Sequence, residues 1–414
     1  MPATSTPTTA IPGPGTPGTF PLRPLLALFT AAFGAVLTEL LPAGLLPAMS
    51  AGLTVPQARI GYLVTGYAVA SGLAAIPVTA ALRGVRRRRV LIGLLLAFAV
   101  ANTVTALSTT YPLTFAARLL AGAAGGTLWA MLAGYAARIA SPEHRGRAIA
   151  VVLAGITVAL ALGIPAGTAL AGAAGWRAVF GALAALALAL VGWALADLPD
   201  LPGEPAAGRL PLRRIAAVPG IRRTLAVTLL LLLGHQAMYT YLAPYAAGAG
   251  LGGPGVLLLT FGVATVAGVW CGGALADRHL GAVLPGALAL IAGALLVLGP
   301  AAGSPVLVAA AVACWGTAFG AAPTLLQTVL VDLAGPRRAD PATALQATVY
   351  NLGIAGGSLT GGVVLARAGA GALPWVAAPL VGAALAVVLL GRRRAYPPRR
   401  TQRPRARTVE RAAG

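Results

Sequence analysis

The chain has 414 residues, 58% of them apolar and only 9% charged, with a mean hydropathy of +0.85. Water-soluble domains carry about a quarter charged residues, so this composition excludes one and puts the chain in a membrane. All 30 basic residues are arginine, against nine acids, for a net charge of +21; in a soluble protein that would suggest nucleic acid, but here the placement of the arginines marks membrane topology and no nucleic-acid partner is expected.

Residues 1–23 are rich in Pro, Thr and Gly and lack a charged region followed by a short apolar core, so they read as a disordered tail rather than a cleaved signal. A helix crossing about 30 Å of hydrocarbon needs roughly 20 mostly apolar residues. Twelve stretches qualify, near 24–47, 59–82, 90–108, 113–137, 148–171, 178–196, 224–245, 254–276, 282–300, 304–330, 342–366 and 374–391. With the N-terminus in the cytoplasm, twenty-six arginines fall on the cytoplasmic side and three, Arg59, Arg177 and Arg367, on the other, while Arg118 lies within a span. Retention of basic residues inside predicts an N-in, C-in topology. The connections within each set of six spans are short, whereas residues 197–223 form a long charged linker. The chain therefore divides into a six-helix half over 24–196, the linker, a second half over 224–391, and a basic disordered tail over 392–414. Two such halves are the plan of secondary transporters, whose substrate site lies near the midplane between them. Cys271 and Cys314 lie inside apolar stretches and read as small packing residues. With His144, His235 and His279 they are too few and scattered for a disulfide framework or a zinc site, and no metal is expected.

An ionisable group inside a span costs at least about 2.5 to 3.5 kcal/mol on insertion scales, which makes each one a functional candidate. In the first span Glu39, after Thr38 and before Pro42, Gly44 and Pro47, is the only acid deep in an apolar segment. Desolvation disfavours its carboxylate, which suits a proton carrier; the other reading is a permanently protonated structural group. Arg118 opens the fourth span, where Gly122 and Gly126, four apart, let a neighbouring helix come close. Helix rise places Glu39 roughly 12 Å and Arg118 roughly 8 Å from the outer ends of their spans, so the two can meet. The alternative has Arg118 snorkelling outward or bonding backbone carbonyls. In the seventh span His235 and Tyr239 share one face, with Gln236 and Thr240 beside them, a face able to stack on and hydrogen-bond an aromatic or hydroxylated substrate. A satisfied packing histidine is the competing reading, and Tyr241 and Tyr245 read as interface anchors. In the tenth span Gly316, Gly320, Pro323 and Gln327 form a stripe that either lines a cavity or seats a helix. Gly353, Gly357 and Gly361 in the eleventh form a close-packing ladder, with Gln346, Tyr350 and Asn351 as its polar exceptions. Trp129, Trp270 and Trp315 are candidates for aromatic walls, with buried packing as the default.

These residues resemble the major facilitator superfamily, and in particular its twelve-helix drug:proton antiporter branch with sugar-efflux and chloramphenicol-exporter relatives. The likeness runs from about residue 24 to 391 and rests on TELLPAGLLPAM, RLLAGAAGG, SPEHRGRA, GITVALALGIPAG leading into GWRAVF, HQAMYTYLAPY, GALADR and NLGIAGGSLTGG, in that order. It implies that Arg118 and Gly122 belong to a motif concerned with proton coupling. It also implies that Gly155, Gly163, Pro165 and Gly167 form the antiporter motif, although Ile164 separates Gly163 from Pro165 where the family often has adjacent Gly and Pro. The gating motif Gly-x-x-x-Asp-Arg is present as Gly273, Asp277 and Arg278. In the first half Arg83 stands at its acidic position and Thr79 at its glycine, so the usual Asp-centred latch cannot form there. Either the Asp277 side carries the gate or Arg83 meets an unidentified acid.

The expected function is proton-coupled export of small amphipathic molecules, such as drugs, antibiotics or sugar-like metabolites, across the cytoplasmic membrane by alternating access. Glu39 and Arg118 are the expected proton-coupling pair, and Thr38, Trp129, His235, Gln236, Tyr239, Gln327, Gln346, Tyr350 and Asn351 the candidate cargo contacts. A proton gradient is the energy source, no cofactor is expected, the lipid bilayer is the surrounding partner, and the chain is expected to work as a monomer. A nutrient symporter or uniporter is the alternative within this class. An intramembrane enzyme would need clustered His, Asp or Glu at ligand spacing, and a passive channel a charged ring or carbonyl filter; neither pattern is visible.

Overall fold

The computed structural model describes residues 20–203, 217–218, 220–248, 254–335 and 338–395, with the side chains of 254, 276–280, 302, 339–341 and 392–395 outside that description. Most of both tails and of the linker therefore lie outside it, as do the side chains of Asp277 and Arg278.

The fold is all helical. Twelve spans are numbered here in chain order. The first six are α1 (Leu22–Gly44), α2 (Gln57–Ala81), α3 (Arg87–Leu107), α4 (Tyr111–Ile139), α5 (Pro142–Ala174) and α6 (Trp176–Asp197). The last six are α7 (Ile221–Tyr239 with Leu242–Gly248), α8 (Gly255–Leu275), α9 (Gly281–Leu298), α10 (Pro305–Ala334), α11 (Ala342–Ala368) and α12 (Ala370–Gly391). Eleven are long and apolar enough to cross a membrane singly, and α7 makes the twelfth when its two pieces, bent by 46°, count as one. The regions containing α8 and α9 run on in one helical stretch, Pro254–Leu298.

Local chemistry explains the irregular places. Pro42 lacks an N–H, so the carbonyl of Thr38 has no helical donor. α1 then ends at Leu45, and a short helix, Leu46–Leu53, leads on. In α5 a single π turn, Ala159–Gly163, precedes Pro165, which sits in the first turn of the helix that resumes at Ile164. Such turns are frequent at functional places in helices.

Glycines set which helices touch. A side chain on Gly122 or Gly126 would strike the backbone carbonyls of Tyr67 and Ser71, so α4 lies directly against α2. Gly155 abuts the Phe29 carbonyl, Gly163 the Phe33 and Leu37 side chains, and Gly167 Leu41, so all three motif glycines of α5 face α1. Gly353, Gly357 and Gly361 meet Leu232, Leu233, Gln236 and Ala237 of α7, the expected ladder. Gly316 and Gly320 meet Phe261 and Thr265 of α8, so this part of the α10 stripe seats a helix.

The bundle has two chemically different ends. At one, away from the termini, the Arg177 guanidinium stacks on Trp176 and donates to the Ser108 carbonyl at 3.1 Å, while the Tyr111 hydroxyl donates to the Arg59 carbonyl. At the other, Phe20 beside the start of α1 packs against His144 and Arg147. There too, residues 198–203 are strapped across α3 and α4. Arg86 Nη1 lies 2.8 Å from Asp200 Oδ2, Tyr135 and Arg138 donate to the carbonyls of Pro199 and Pro202, and Gly203 rests on the backbone of Arg83 and Gly84.

Several side chains depart from the sequence expectation. Cys271 and Cys314 are exposed rather than packed, and Trp270 is 76% exposed, so it walls no internal space. A span's lipid-facing side is as apolar as its core side, so hydropathy does not separate the two. Tyr241 and Tyr245 are buried, donating to the carbonyls of Ser358 and Leu298, and are not interface anchors.

Candidate functional site

Glu39 sits in the last third of α1, 9% exposed, the only buried acid among the described residues. Arg118 of α4 is 1% exposed and donates from Nη2 to the main-chain carbonyl of Glu39 at 3.2 Å. The two residues therefore meet, but through the backbone carbonyl, and the described ion pairs do not include their side chains. The Arg118 guanidinium lies 4.9 Å above the Tyr67 ring. That stack follows from the glycines: Gly122 and Gly125 let Tyr67 lie flat against α4, one turn from Arg118. Stacking occupies the guanidinium face and leaves its edges free. Nε and Nη1 of Arg118 and the Tyr67 hydroxyl have no hydrogen-bond partner among the described residues.

Glu39 lies ahead of Gly44 on α1, where that span touches Ile164 and Thr168 of the first six spans and Leu258 of the last six. Two seams join these sets. Along α2 and α11, Gly61 receives the Tyr241 hydroxyl, Gly362 meets Tyr62 and Tyr241, Thr65 donates to the Ala355 carbonyl at 3.4 Å, and Gly72 faces Asn351. Along α5 and α8, Gly262 meets the Leu160 carbonyl of the π turn, and Gly44 of α1 meets Leu258. A buried carboxyl within reach of one fixed cation, at the junction of two packed units, changes the charge of that junction when it gains or loses a proton.

The model of the Major Facilitator Superfamily matches residues 28–358, most of the chain. The chain belongs to the Major Facilitator Superfamily. It is a multi-pass membrane transporter of that family. Among solved structures it is similar to the crystal structure of the human organic anion transporter MFSD10 (TETRAN), with a TM-score of 0.68 and 20% identity over 90% of this chain and 100% of that one. At that identity the likeness speaks for the superfamily fold.

The other candidates of this superfamily member fall into three groups. Thr38 accepts from Asn102 Nδ2 at 3.1 Å and beside it lines a narrow gap between α1, α3 and α6, inside the first six spans. Gln236 donates to Thr240 one turn along α7, and Thr240, bonded to Ser358 at 2.9 Å, ties α7 to α11. Trp129 is half-buried and packs against the hydrophobic interior. Gln346 is buried, and Asn351 donates to the Ala347 carbonyl of its own helix.

The second group lies toward the terminal end. Gln327 lies on an open face of α10 with Thr324, Thr328, Val331 and Asp332. Gly273 is exposed on α8. The acid that meets the basic loop between α2 and α3 is Asp200, and its partner is Arg86 rather than Arg83. The hydrogen bond from Arg86 holds the Asp200 carboxyl below the usual carboxylate range.

The third group is aromatic. His235 lies between Tyr239, ring centroids 5.3 Å apart, and Phe319, 3.5 Å away and nearly parallel, with Trp315 edge-on at 5.3 Å and Phe261 at 5.7 Å. Sequence reading placed His235 and Tyr239 together but passed over Phe261 and Phe319, which inside a span are indistinguishable from packing residues. It also passed over Tyr67; the glycines of α4 announced a close neighbour without naming it.

Proposed function

We propose that this chain is a proton-coupled exporter of small amphipathic organic molecules in the cytoplasmic membrane, with both termini inside, and that Glu39 carries the proton. The observation that carries the reading is the buried Glu39 in the span beside both seams, with Arg118 fixed to its own carbonyl. Ionised, Glu39 balances Arg118; protonated, it leaves one net positive charge at the junction. That difference biases how the two sets of six spans pack, and a proton from outside would then favour cargo release.

The arginine distribution supports placing the terminal end in the cytoplasm. The closed Gly61 and Tyr241 contact at the other end supports an inward-facing state. α5, whose motif glycines seat α1 and whose π turn meets α8, is the element that links the proton site to the second seam. Inside-out vesicles containing the purified chain test the reading. Acidifying the lumen should drive accumulation of a lipophilic dye in the exporter direction, and uptake indifferent to the gradient would contradict it.

A further inference from the structure

The ring cluster on α7, α8 and α10 contains two polar atoms the protein does not satisfy. Trp315 is fully buried and His235 is 4% exposed, yet among the described residues Trp315 Nε1 and His235 Nδ1 have no hydrogen-bond partner. Indole N–H is a donor only, so it needs an acceptor, and a bond left unmade at this depth is costly. Packing alone accounts for the rings and leaves those two nitrogens unexplained.

The cluster also sits where two helices are irregular. α7 bends by 46° directly after Tyr239. Pro323 in α10 removes the N–H that would bond the carbonyl of Phe319, so the backbone is loosened at the ring that covers His235. Phe319 is the most exposed of the five rings, at 8%. It is therefore the member best placed to move. The described neighbours of His235 and Tyr239 in the box are the uncharged rings of Phe261, Trp315 and Phe319, so the box does not select a cation or an anion.

We propose that this box is a cargo subsite for a neutral, flat heteroaromatic ring bearing a hydrogen-bond acceptor, which replaces the Phe319 ring on His235 and accepts from Trp315 Nε1. Tyr239 forms the opposite face of the sandwich. This rests on the transporter reading above but not on Glu39 carrying the proton.

The test is equilibrium binding of acridone, a neutral flat tricycle with a carbonyl acceptor, to the full chain in lipid nanodiscs, beside carbazole, which has a similar shape and no carbonyl. Acridone is expected to bind. Trp315→Phe should weaken it about tenfold, the worth of one hydrogen bond, while carbazole stays within about twofold. Phe319→Ala should tighten acridone several-fold, because the ring to be displaced is gone. No acridone binding to the parent chain, or equal loss of both tricycles in Trp315→Phe, would overturn the proposal. If acridone binds as expected while Glu39→Gln keeps its proton coupling, the subsite stands and the proton-carrier assignment falls. If coupling depends on Glu39 and acridone does not bind, only the subsite falls.

Discussion

Arg118 owes its position to residues that carry no charge. Gly122 and Gly125 admit Tyr67, Tyr67 stacks on the guanidinium, and the guanidinium then donates to the carbonyl of Glu39. A Gly122→Val substitution would drive a side chain into the Tyr67 carbonyl and should destabilise the protein by about 1–3 kcal/mol. Gly93→Ala, with open space around it, should change thermal stability little by comparison; equal shifts in the two variants would contradict the close-approach argument. Arg118→Lys keeps the charge but cannot both stack on a ring and donate along a carbonyl in the same way. Gradient-driven transport should fall about tenfold, against less than twofold for Tyr67→Phe, which preserves the ring. Vesicle uptake at matched expression measures both. That Glu39 and Arg118 come together was legible in the sequence because ionisable groups in apolar spans are rare, and the bond found is of the kind given as the alternative, Arg118 to a backbone carbonyl. The Tyr67 face was not legible, because it leaves no mark in a hydropathy pattern.

The strap over 198–203 is an element that the sequence left unresolved. With Arg83 at the acidic position of the first-half motif, the loop between α2 and α3 lacks its own acid, and Asp200 from beyond α6 meets Arg86 instead, with Arg88 4.0 Å away. Spacing shows an acid is missing but not that a segment over a hundred residues later returns to supply one. Because Arg86 holds the Asp200 carboxyl below its usual range, its stabilising contribution is present at neutral pH and is lost as pH falls through that lowered value. Asp200→Asn should therefore lower thermal stability at neutral pH and flatten the acid limb of the stability profile. An unchanged acid limb would show that the contact does not stabilise the fold. The π turn of α5 was likewise not foreseen, although the Gly163–Ile164–Pro165 spacing marked the place as irregular. A proline one residue further from the glycine than the family pattern has its first-turn position satisfied once the π turn precedes it.

At the scale of the whole molecule, the spans were readable because nearly all backbone groups in hydrocarbon are bonded within their own helix, which makes length and hydropathy strong guides; the twelfth emerges when the two bent pieces of α7 count as one. Which face of each span met protein and which met lipid was not readable, as Cys271, Cys314 and Trp270 show, since both environments are apolar. The bend in α7 was missed although the sequence marks it: Pro244 lacks the N–H that would bond the Thr240 carbonyl, as Pro42 does for Thr38. That bend positions Tyr241 in the socket made by Gly61 and beside Gly361 and Gly362, the contact that closes one end of the α2 and α11 seam. Gly61→Leu should fill the socket and hold that end open. With Cys271 and Cys314 replaced by Ser, a cysteine at Thr65 should then react several-fold faster with an impermeant maleimide added from outside, and unchanged reactivity would contradict the closure.

Two packed sets of spans whose junction changes charge with one buried carboxyl form the centre of this account. The most direct measurement is cargo binding and gradient-driven uptake by Glu39→Gln, which removes the titratable group while keeping its size and hydrogen-bonding capacity. Uptake driven by an imposed proton gradient should fail while binding survives, and the weakening of cargo binding as pH falls in the parent protein should flatten in the variant. Gradient-driven uptake in Glu39→Gln with the parent's pH dependence would contradict the account.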